Sequence, residues 1–227
     1  MRVLVIESSS SRSGIALVDG SGVVAEHVFE HEQGLLIGLA PAIARVVKQP
    51  GDVEGIAVSI GPGSFTGLRI GVTTAKALAF AWRIPVAVVS TIDALAMTVA
   101  GSIADEDATM ALMIRSRRDE VFGAVYAMAR VAPTAVVPTR CLPVQEFLDA
   151  VAALDADGMI VAGDAVDLYR DRIDEMLAGA RYVIPAMNYP SPTAVAWLGR
   201  DRLLRGQQVD ALALAPEYLR PTYVGTK

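Results

Sequence analysis

The chain has little cysteine, histidine and aromatic content, and each shortage excludes a class of protein. Its single cysteine, Cys141, rules out a disulfide within the chain, and we interpret it as a small packing residue. The only histidines, His27 and His31, stand four apart in a predicted strand, where that spacing separates side chains by about 13 Å. The composition therefore indicates neither a metal centre nor a histidine-assisted nucleophile.

Long apolar runs and net positive charge are also absent. No run approaches the roughly 20 apolar residues of a membrane span, and the apolar N-terminal run is too short for a signal peptide. We therefore expect a soluble, cytoplasmic protein with no membrane partner. The net charge of −5 gives no long-range attraction to nucleic acid. In the one basic segment, RSRRDE at 115–120, two acids offset the arginines, so a solvated turn is favoured over a phosphate or nucleic-acid grip.

Strand-like segments precede alternating helices and strands in the first hundred residues. The sequence DGSG at 19–22 is a strong hairpin signal, and Pro41 should kink or restart the helix that contains it. A mixed sheet covered by helices is therefore expected. The predicted order is β-β-β-α-β-α-β-α, with strands at 2–7, 14–18, 23–30, 55–60 and 84–90 and helices at 34–49, 66–82 and 91–102.

The second part of the chain repeats this pattern more weakly. Two apolar strands flank the charged turn at 115–119, as in the opening hairpin, which suggests duplicated domains. Downstream we expect a helix at 143–154, a strand, loop and helix around Gly163, an amphipathic helix at 192–208 and an extended tail from residue 215.

A glycine loop opens the predicted helix at 66–82. Its glycines Gly61, Gly63 and Gly67 are spaced G-x-G-x-x-x-G, which matches neither the dinucleotide fingerprint nor the nucleoside-triphosphatase loop. Ser64 can cap the helix, whose free amides could hold an anion. On these residues alone, a ligand-free tight turn and an anion site remain open alternatives.

The first turn, IESSSSRSG, supplies a second set of candidate ligand contacts. A carboxylate at a strand end followed by hydroxyls can hold Mg²⁺ through water, although a surface hairpin with a tethered acid is the favoured interpretation. No catalytic or metal-binding residue is assigned. The candidate nucleotide-binding residues are Glu7, Ser8, Ser9, Gly61, Gly63 and Ser64.

The helix at 66–82 is small or apolar nearly all round, which predicts burial on two sides. One side must pack on the chain's own sheet, so the other suggests a partner. Apolar residues of the preceding helix indicate the same surface. The predicted partner-contact residues are Leu35, Leu36, Leu39, Ile43, Leu68, Val72, Ala75 and Leu78.

Four segments in order resemble the bacterial TsaB (YeaZ) family: IESSS, GPGSFTGLRIGVTTAKALAF, IPVAVVSTIDALA and PEYLR. The resemblance implies an α/β, two-domain fold of the actin/sugar-kinase/Hsp70 (ASKHA) type, with mixed sheets flanked by helices. The predicted divisions are a first subdomain at 1–102 that carries the partner-binding helices, a smaller second subdomain at 103–192, and a C-terminal helix and tail at 193–227 that return toward the first.

The resemblance also implies a function. Members of the family are subunits of the machinery that makes N6-threonylcarbamoyladenosine at position 37 of tRNA. They pair with a catalytic TsaD-type subunit through the two helices of the first domain, are joined by a TsaE-type ATPase, and form homodimers through the same surface when alone. A noncatalytic scaffold is thus expected, with tRNA contacted only indirectly and ATP or ADP acting through the complex.

This chain departs from the family at two turns. Relatives usually have Asp followed by Thr and Ser where this chain has Glu7-Ser8-Ser9, and often Asp-Ala-Arg where it has Arg115-Ser116-Arg117. The exchange of an acid for a cation weakens any Mg²⁺ role. Two alternatives remain: an ATP-dependent phosphotransferase of the same superfold that uses Glu7 and the serines at 8–11, and a metallopeptidase-like hydrolase, whose metal ligands the chain does not supply.

Overall fold

Two five-stranded mixed sheets with the same strand order form the framework of the protein. The structure, a computed structural model, describes residues 1–29, 32–129, 131–154 and 158–219, without the side chains of residues 32 and 33. Each sheet has three antiparallel strands followed by two strands that run parallel to the first of the three. This duplication is the one expected for the ASKHA type, so the predicted fold class is confirmed.

The first half has the predicted order of elements, and its sheet order is β3-β2-β1-β4-β5. Helix α1 continues through Pro41 without interruption. The elements are β1 (Val3–Glu7), β2 (Ser13–Asp19), β3 (Gly22–Phe29), α1 (Glu32–Val46), β4 (Gly55–Gly61), α2 (Phe65–Trp82), β5 (Val86–Ser90) and α3 (Thr91–Ala100).

The second half contains two strands that the sequence did not predict, β8 and β10, at the edges of the order β10-β9-β6-β7-β8. Much of β8 is exposed, and it contains two prolines. Both features are typical of an edge strand, and they hide the alternating apolar pattern by which a strand is recognised in sequence. The elements are β6 (Thr109–Arg115), β7 (Glu120–Ala127), β8 (Thr134–Pro143), α4 (Val144–Ala152), β9 (Ile160–Ala162), α5 (Arg170–Met176), β10 (Arg181–Tyr182) and α6 (Pro192–Leu204).

Both faces of the first sheet are covered, which explains the continuous apolar run of β1. Leu4 and Ile6 pack with α1 and α2 on one face. Val3 and Val5 pack with α6 and with Ala94 of α3 on the other. A strand buried on both faces needs no polar alternation, because neither face meets water.

Helix α3 is the helix that is buried between two layers. Its residues Ile92, Leu95 and Val99 pack against the second sheet, whereas Ala94 packs in the cluster of the first. Two-sided burial, predicted for the helix at 66–82, is therefore realised within the chain by α3. The predicted subdomain boundaries remain predictions. No helix in the described part of the chain has the length and apolar character needed to cross a membrane.

Candidate functional site

A cleft of about 430 Å³ lies between the two halves of the protein. The carboxyl ends of the central parallel strands of both sheets, β1 and β4 in the first and β6 and β9 in the second, lead into it, and ligands of α/β proteins usually bind at such edges. The chain's last described segment forms part of the wall. The lining comprises residues 9–11, 62–65, 68, 114–116, 122, 164 and 217–219.

The glycine loop and the first turn contact each other directly. The Ser64 N–H donates to the Ser9 carbonyl oxygen at 2.7 Å, and the Ser64 hydroxyl accepts from the Gly67 N–H at 3.1 Å, as predicted for a cap. A Cβ on Gly67 would lie well inside 3.0 Å of the Ser8 carbonyl oxygen, and one on Gly63 would meet Ser9 in the same way. These glycines therefore allow α2 to begin against the first turn, which accounts for a spacing unlike that of a phosphate-binding loop.

Glu7 is buried beneath the first turn and does not line the cleft. Its Oε1 accepts from the Ser9 N–H at 2.7 Å and from the Ser9 hydroxyl, whereas Oε2 has no hydrogen-bond partner in the described structure. Burial raises the pKa of the Glu7 carboxyl, although the bonds from Ser9 and Ser59 oppose the rise. The sequence favours a surface hairpin with a tethered acid; the acid is tethered by Ser9, but it is buried and not at the surface.

Ser8 is also buried, and its hydroxyl has no partner among the described residues. Of the six candidate nucleotide-binding residues, the cleft meets Ser9, Gly63 and Ser64, while Glu7, Ser8 and Gly61 lie outside its lining. On the wall formed by the first half, a ligand in the cleft would meet hydroxyls and backbone rather than the Glu7 carboxylate.

We expect Glu7→Gln to stabilise the protein at neutral pH by on the order of 1 kcal/mol, because burial raises the pKa of the Glu7 carboxyl and the neutral amide does not ionise. The glutamine carbonyl can accept the same two bonds from Ser9 without a charge. Because the pKa of the Glu7 carboxyl is higher in the folded chain than in the unfolded chain, the native protein loses stability as pH rises from 4.5 through the folded-state pKa.

Urea unfolding at pH 4.5 and pH 8 measures this effect. The stability gain of Glu7→Gln should be larger at pH 8, whereas Glu26→Gln on the exposed strand β3 should change neither value. Equal gains in the free energy of unfolding at both pH values would show that ionisation of Glu7 does not destabilise the folded protein.

The second half contributes a cation and an acid to the cleft. The Arg115 N–H donates to Asp164 Oδ1 at 2.7 Å, and the Arg115 side chain is exposed. Burial raises the pKa of the Asp164 carboxyl, opposed by this N–H bond and the Arg115 charge. Ser116 adds a hydroxyl, whose oxygen lies 3.4 Å from the sulfur of the half-buried Cys141. This wall therefore combines hydroxyl and guanidinium donors.

The tail lies along the cleft and contacts both halves of the protein. The Glu217 N–H donates to the Ile60 carbonyl oxygen at 2.7 Å. The rings of Tyr218 and Phe65 lie 5.5 Å apart, and the Arg69 Nε–H donates to the Tyr218 hydroxyl at 3.2 Å. Leu219 then packs against the core cluster of the second sheet.

Most predicted partner-contact residues face inward, which corrects the sequence-based assignment. Leu35, Leu39, Ile43, Leu68, Val72 and Ala75 are buried in this chain's own structure, and Leu78 is half-buried. Helical periodicity identified the stripe that packs on the chain's own sheet. Of the predicted set, Leu36 alone is exposed, with 68% of its surface accessible.

The outer surfaces of α1 and α2 carry apolar residues that the sequence argument did not select. Ile37 is 79% exposed on α1 and Phe80 is 66% exposed on α2. Between Ile37 and Arg45, the exposed residues of α1 are two alanines and a proline, Ala40, Pro41 and Ala44. We call Leu36, Ile37 and Phe80 the outer apolar residues.

Of the two histidines, only His27 lies within the described residues. His27 is exposed on β3 with its ring edge against Phe29, the centroids 4.6 Å apart, and His31 lies outside the described residues. Within the described ranges, no three His, Cys, Asp or Glu side chains come together as a metal site.

Comparison with known proteins places the chain in a family. The family model “TsaD: tRNA N6-adenosine threonylcarbamoyltransferase” matches residues 5–224. The chain belongs to this family. Among curated relatives, “tRNA threonylcarbamoyladenosine biosynthesis protein TsaB” of Bacillus subtilis is 28% identical over 97% of this chain and 94% of its own length. The TsaB (YeaZ) resemblance is thereby confirmed.

A second curated relative and one solved structure agree with this placement. The protein of the same name from Escherichia coli is 33% identical over 134 residues, which are 56% of this chain and 55% of its own length. “YeaZ from Pseudomonas aeruginosa” superposes with a TM-score of 0.79 at 24% identity and covers 96% of this chain and 99% of its own. That likeness shows the shared fold.

Proposed function

We propose that this chain is a noncatalytic subunit of the tRNA threonylcarbamoyladenosine machinery and that it pairs with a TsaD-type catalytic subunit. The names of the curated relatives support the pathway. A TsaE-type ATPase would join the pair, and ATP or ADP would act through the complex. Modification of tRNA would then depend on the catalytic subunit, with this chain as its support.

The observation that carries the pairing is the exposure of the outer apolar residues. Leu36, Ile37 and Phe80 lie on the outer surfaces of two helices that contact each other. Exposed apolar side chains of this size on adjoining helices are typical of association surfaces, because burying them against a partner removes apolar area from water. Neighbouring Ala40 and Ala44 are also exposed, and their small side chains allow a second helix to approach closely.

The buried acid supports a noncatalytic role. An acid that holds Mg²⁺ or activates water must reach the ligand, and Glu7 is enclosed beneath the first turn. The phosphotransferase alternative is favoured by one observation, the cleft of about 430 Å³. ATP turnover by the isolated chain that is lost in Asp164→Asn, the change to the acid that does line the cleft, would support this alternative.

Leu36→Glu and Ile37→Glu are expected to weaken binding of the TsaD-type subunit from the same cell by at least a hundredfold. Each places a charge without a partner in a contact that excludes water. Ile184→Glu is the matched control, since Ile184 is 64% exposed on the second half. Co-purification and titration calorimetry measure the effect, and thermal melting checks that each variant is folded.

The same variants test the proposed homodimer. The isolated chain should be a dimer by light scattering at micromolar concentration, and Leu36→Glu should be a monomer, with Ile184→Glu still a dimer. Retention of the TsaD-type subunit by both α1 variants would rule out this surface as the contact.

A further inference from the structure

Four arginines surround an open depression of about 580 Å³ on the second half of the protein. Arg115 ends β6, Arg117 and Arg118 lie in the turn between β6 and β7, and Arg172 lies on α5. The acids in the lining are Asp119 and Glu120. Arg115 also lines the cleft, so the two regions are continuous. We call Arg115, Arg117, Arg118 and Arg172 the arginine surface.

The four arginines outnumber the two acids of the lining, so the depression has a net positive charge. Arg118 lies 3.8 Å from Asp119, in a pair with both side chains largely exposed. In the described part of the chain, Arg115, Arg117 and Arg172 have no carboxylate oxygen within 4.0 Å. With four guanidinium groups against two carboxylates, the surface stays cationic in a chain of net charge −5.

Neighbouring arginines show the contrast. Arg170 pairs with Asp174 at 3.4 Å, and Arg181 pairs with Asp105 at 2.8 Å. These side chains are close to the arginine surface in sequence but have carboxylate partners within the chain. What distinguishes the arginine surface is that four guanidinium groups line one depression.

The turn that carries the surface is held by several hydrogen bonds. The Asp119 N–H donates to the Tyr169 hydroxyl oxygen at 3.0 Å, and the Val144 N–H donates to the Asp119 carbonyl oxygen at 3.0 Å. The guanidinium carbon of Arg172 lies 5.8 Å from the centre of the Tyr169 ring. A turn that is already ordered loses less conformational entropy when a ligand binds.

We propose that the arginine surface binds the phosphodiester backbone of RNA, an assignment that rests on the proposed function for the identity of the polyanion. Guanidinium groups match phosphate oxygens in geometry and charge. Their spread around an open depression suits successive phosphates along a strand better than one enclosed phosphate. The chain thereby contacts tRNA directly, beyond the indirect role expected from the resemblance.

The test is the salt dependence of binding between the full-length chain and a tRNA transcript, measured by fluorescence anisotropy. Each phosphate contact contributes about 0.7 to 0.9 to the slope of log affinity against log salt. The double variant Arg117→Ser/Arg172→Ser is expected to reduce the slope by about 2 and the low-salt affinity tenfold or more. Arg205→Ser, which removes an arginine paired with Asp201 on α6, is the control and should change neither.

Unchanged slope and affinity in the double variant would overturn the proposal, as would a native chain that does not bind tRNA at low salt. Displacement of tRNA by ATP or inorganic phosphate at matched ionic strength would also overturn it, since that result indicates an enclosed phosphate site. Co-purification with the TsaD-type subunit separates the two hypotheses. The double variant should still pair, and a chain that binds RNA through these arginines without ever pairing would contradict only the proposed function.

Discussion

Val72→Glu is expected to unfold the chain. Val72 is buried on the inner face of α2 in a cluster with Leu4, Ile6 and Leu39. A carboxylate there has no partner and must be desolvated or protonated. We expect a loss of about 3–5 kcal/mol or more, against a total stability of about 5–15 kcal/mol for an ordinary domain.

Leu36→Glu provides the matched control, because it introduces the same side chain on the outer surface of the neighbouring helix. Its melting temperature should stay within a few degrees of the native value while its partner binding is lost. Circular dichroism and urea unfolding of the two variants measure the difference. A Val72→Glu protein that melts like the native one would show that this face of α2 does not pack on the sheet.

Gly67→Ala is expected to destabilise the protein by about 1–3 kcal/mol, although alanine is the better helix former. The added Cβ would overlap with the Ser8 carbonyl oxygen and lie 3.2 Å from the Ser64 hydroxyl oxygen. Because the Ser8 carbonyl is backbone at the end of β1, the overlap cannot be relieved by a side-chain rotation. The glycine block would then be explained by close packing against the first turn.

Gly34→Ala tests the opposite sign. Gly34 is exposed on α1, and an added Cβ would only touch the Phe29 side chain at 3.9 Å. Alanine should stabilise the helix by about 0.5–1 kcal/mol there, since it lowers the entropy of the unfolded chain. If both substitutions raise the stability measured by urea unfolding, the contact between Gly67 and the first turn is not present.

Local patterns predicted the first half of the fold well. The hairpin signal at 19–22, the buried strands that became β4 and β5, and the cap at Ser64 depend on neighbouring residues, so a window of sequence contains the information. The weak echo around 115–119 was likewise enough to indicate the duplication, since β6 and β7 are apolar. Edge strands β8 and β10 were missed because pairing with a neighbour, and not side-chain pattern, makes them strands.

The sequence by itself determined the family, the order of elements in the first half and the positions of the glycines, because these depend on residue identity and short spacing. The tertiary structure alone decided which side of each helix remains uncovered. Helical spacing marks an apolar stripe without saying what covers it, and here the sheet covers Val72 and its neighbours while Ile37 and Phe80 stay exposed. The tertiary structure also decided that Glu7 is buried, because several packed elements are needed to exclude water from one carboxylate.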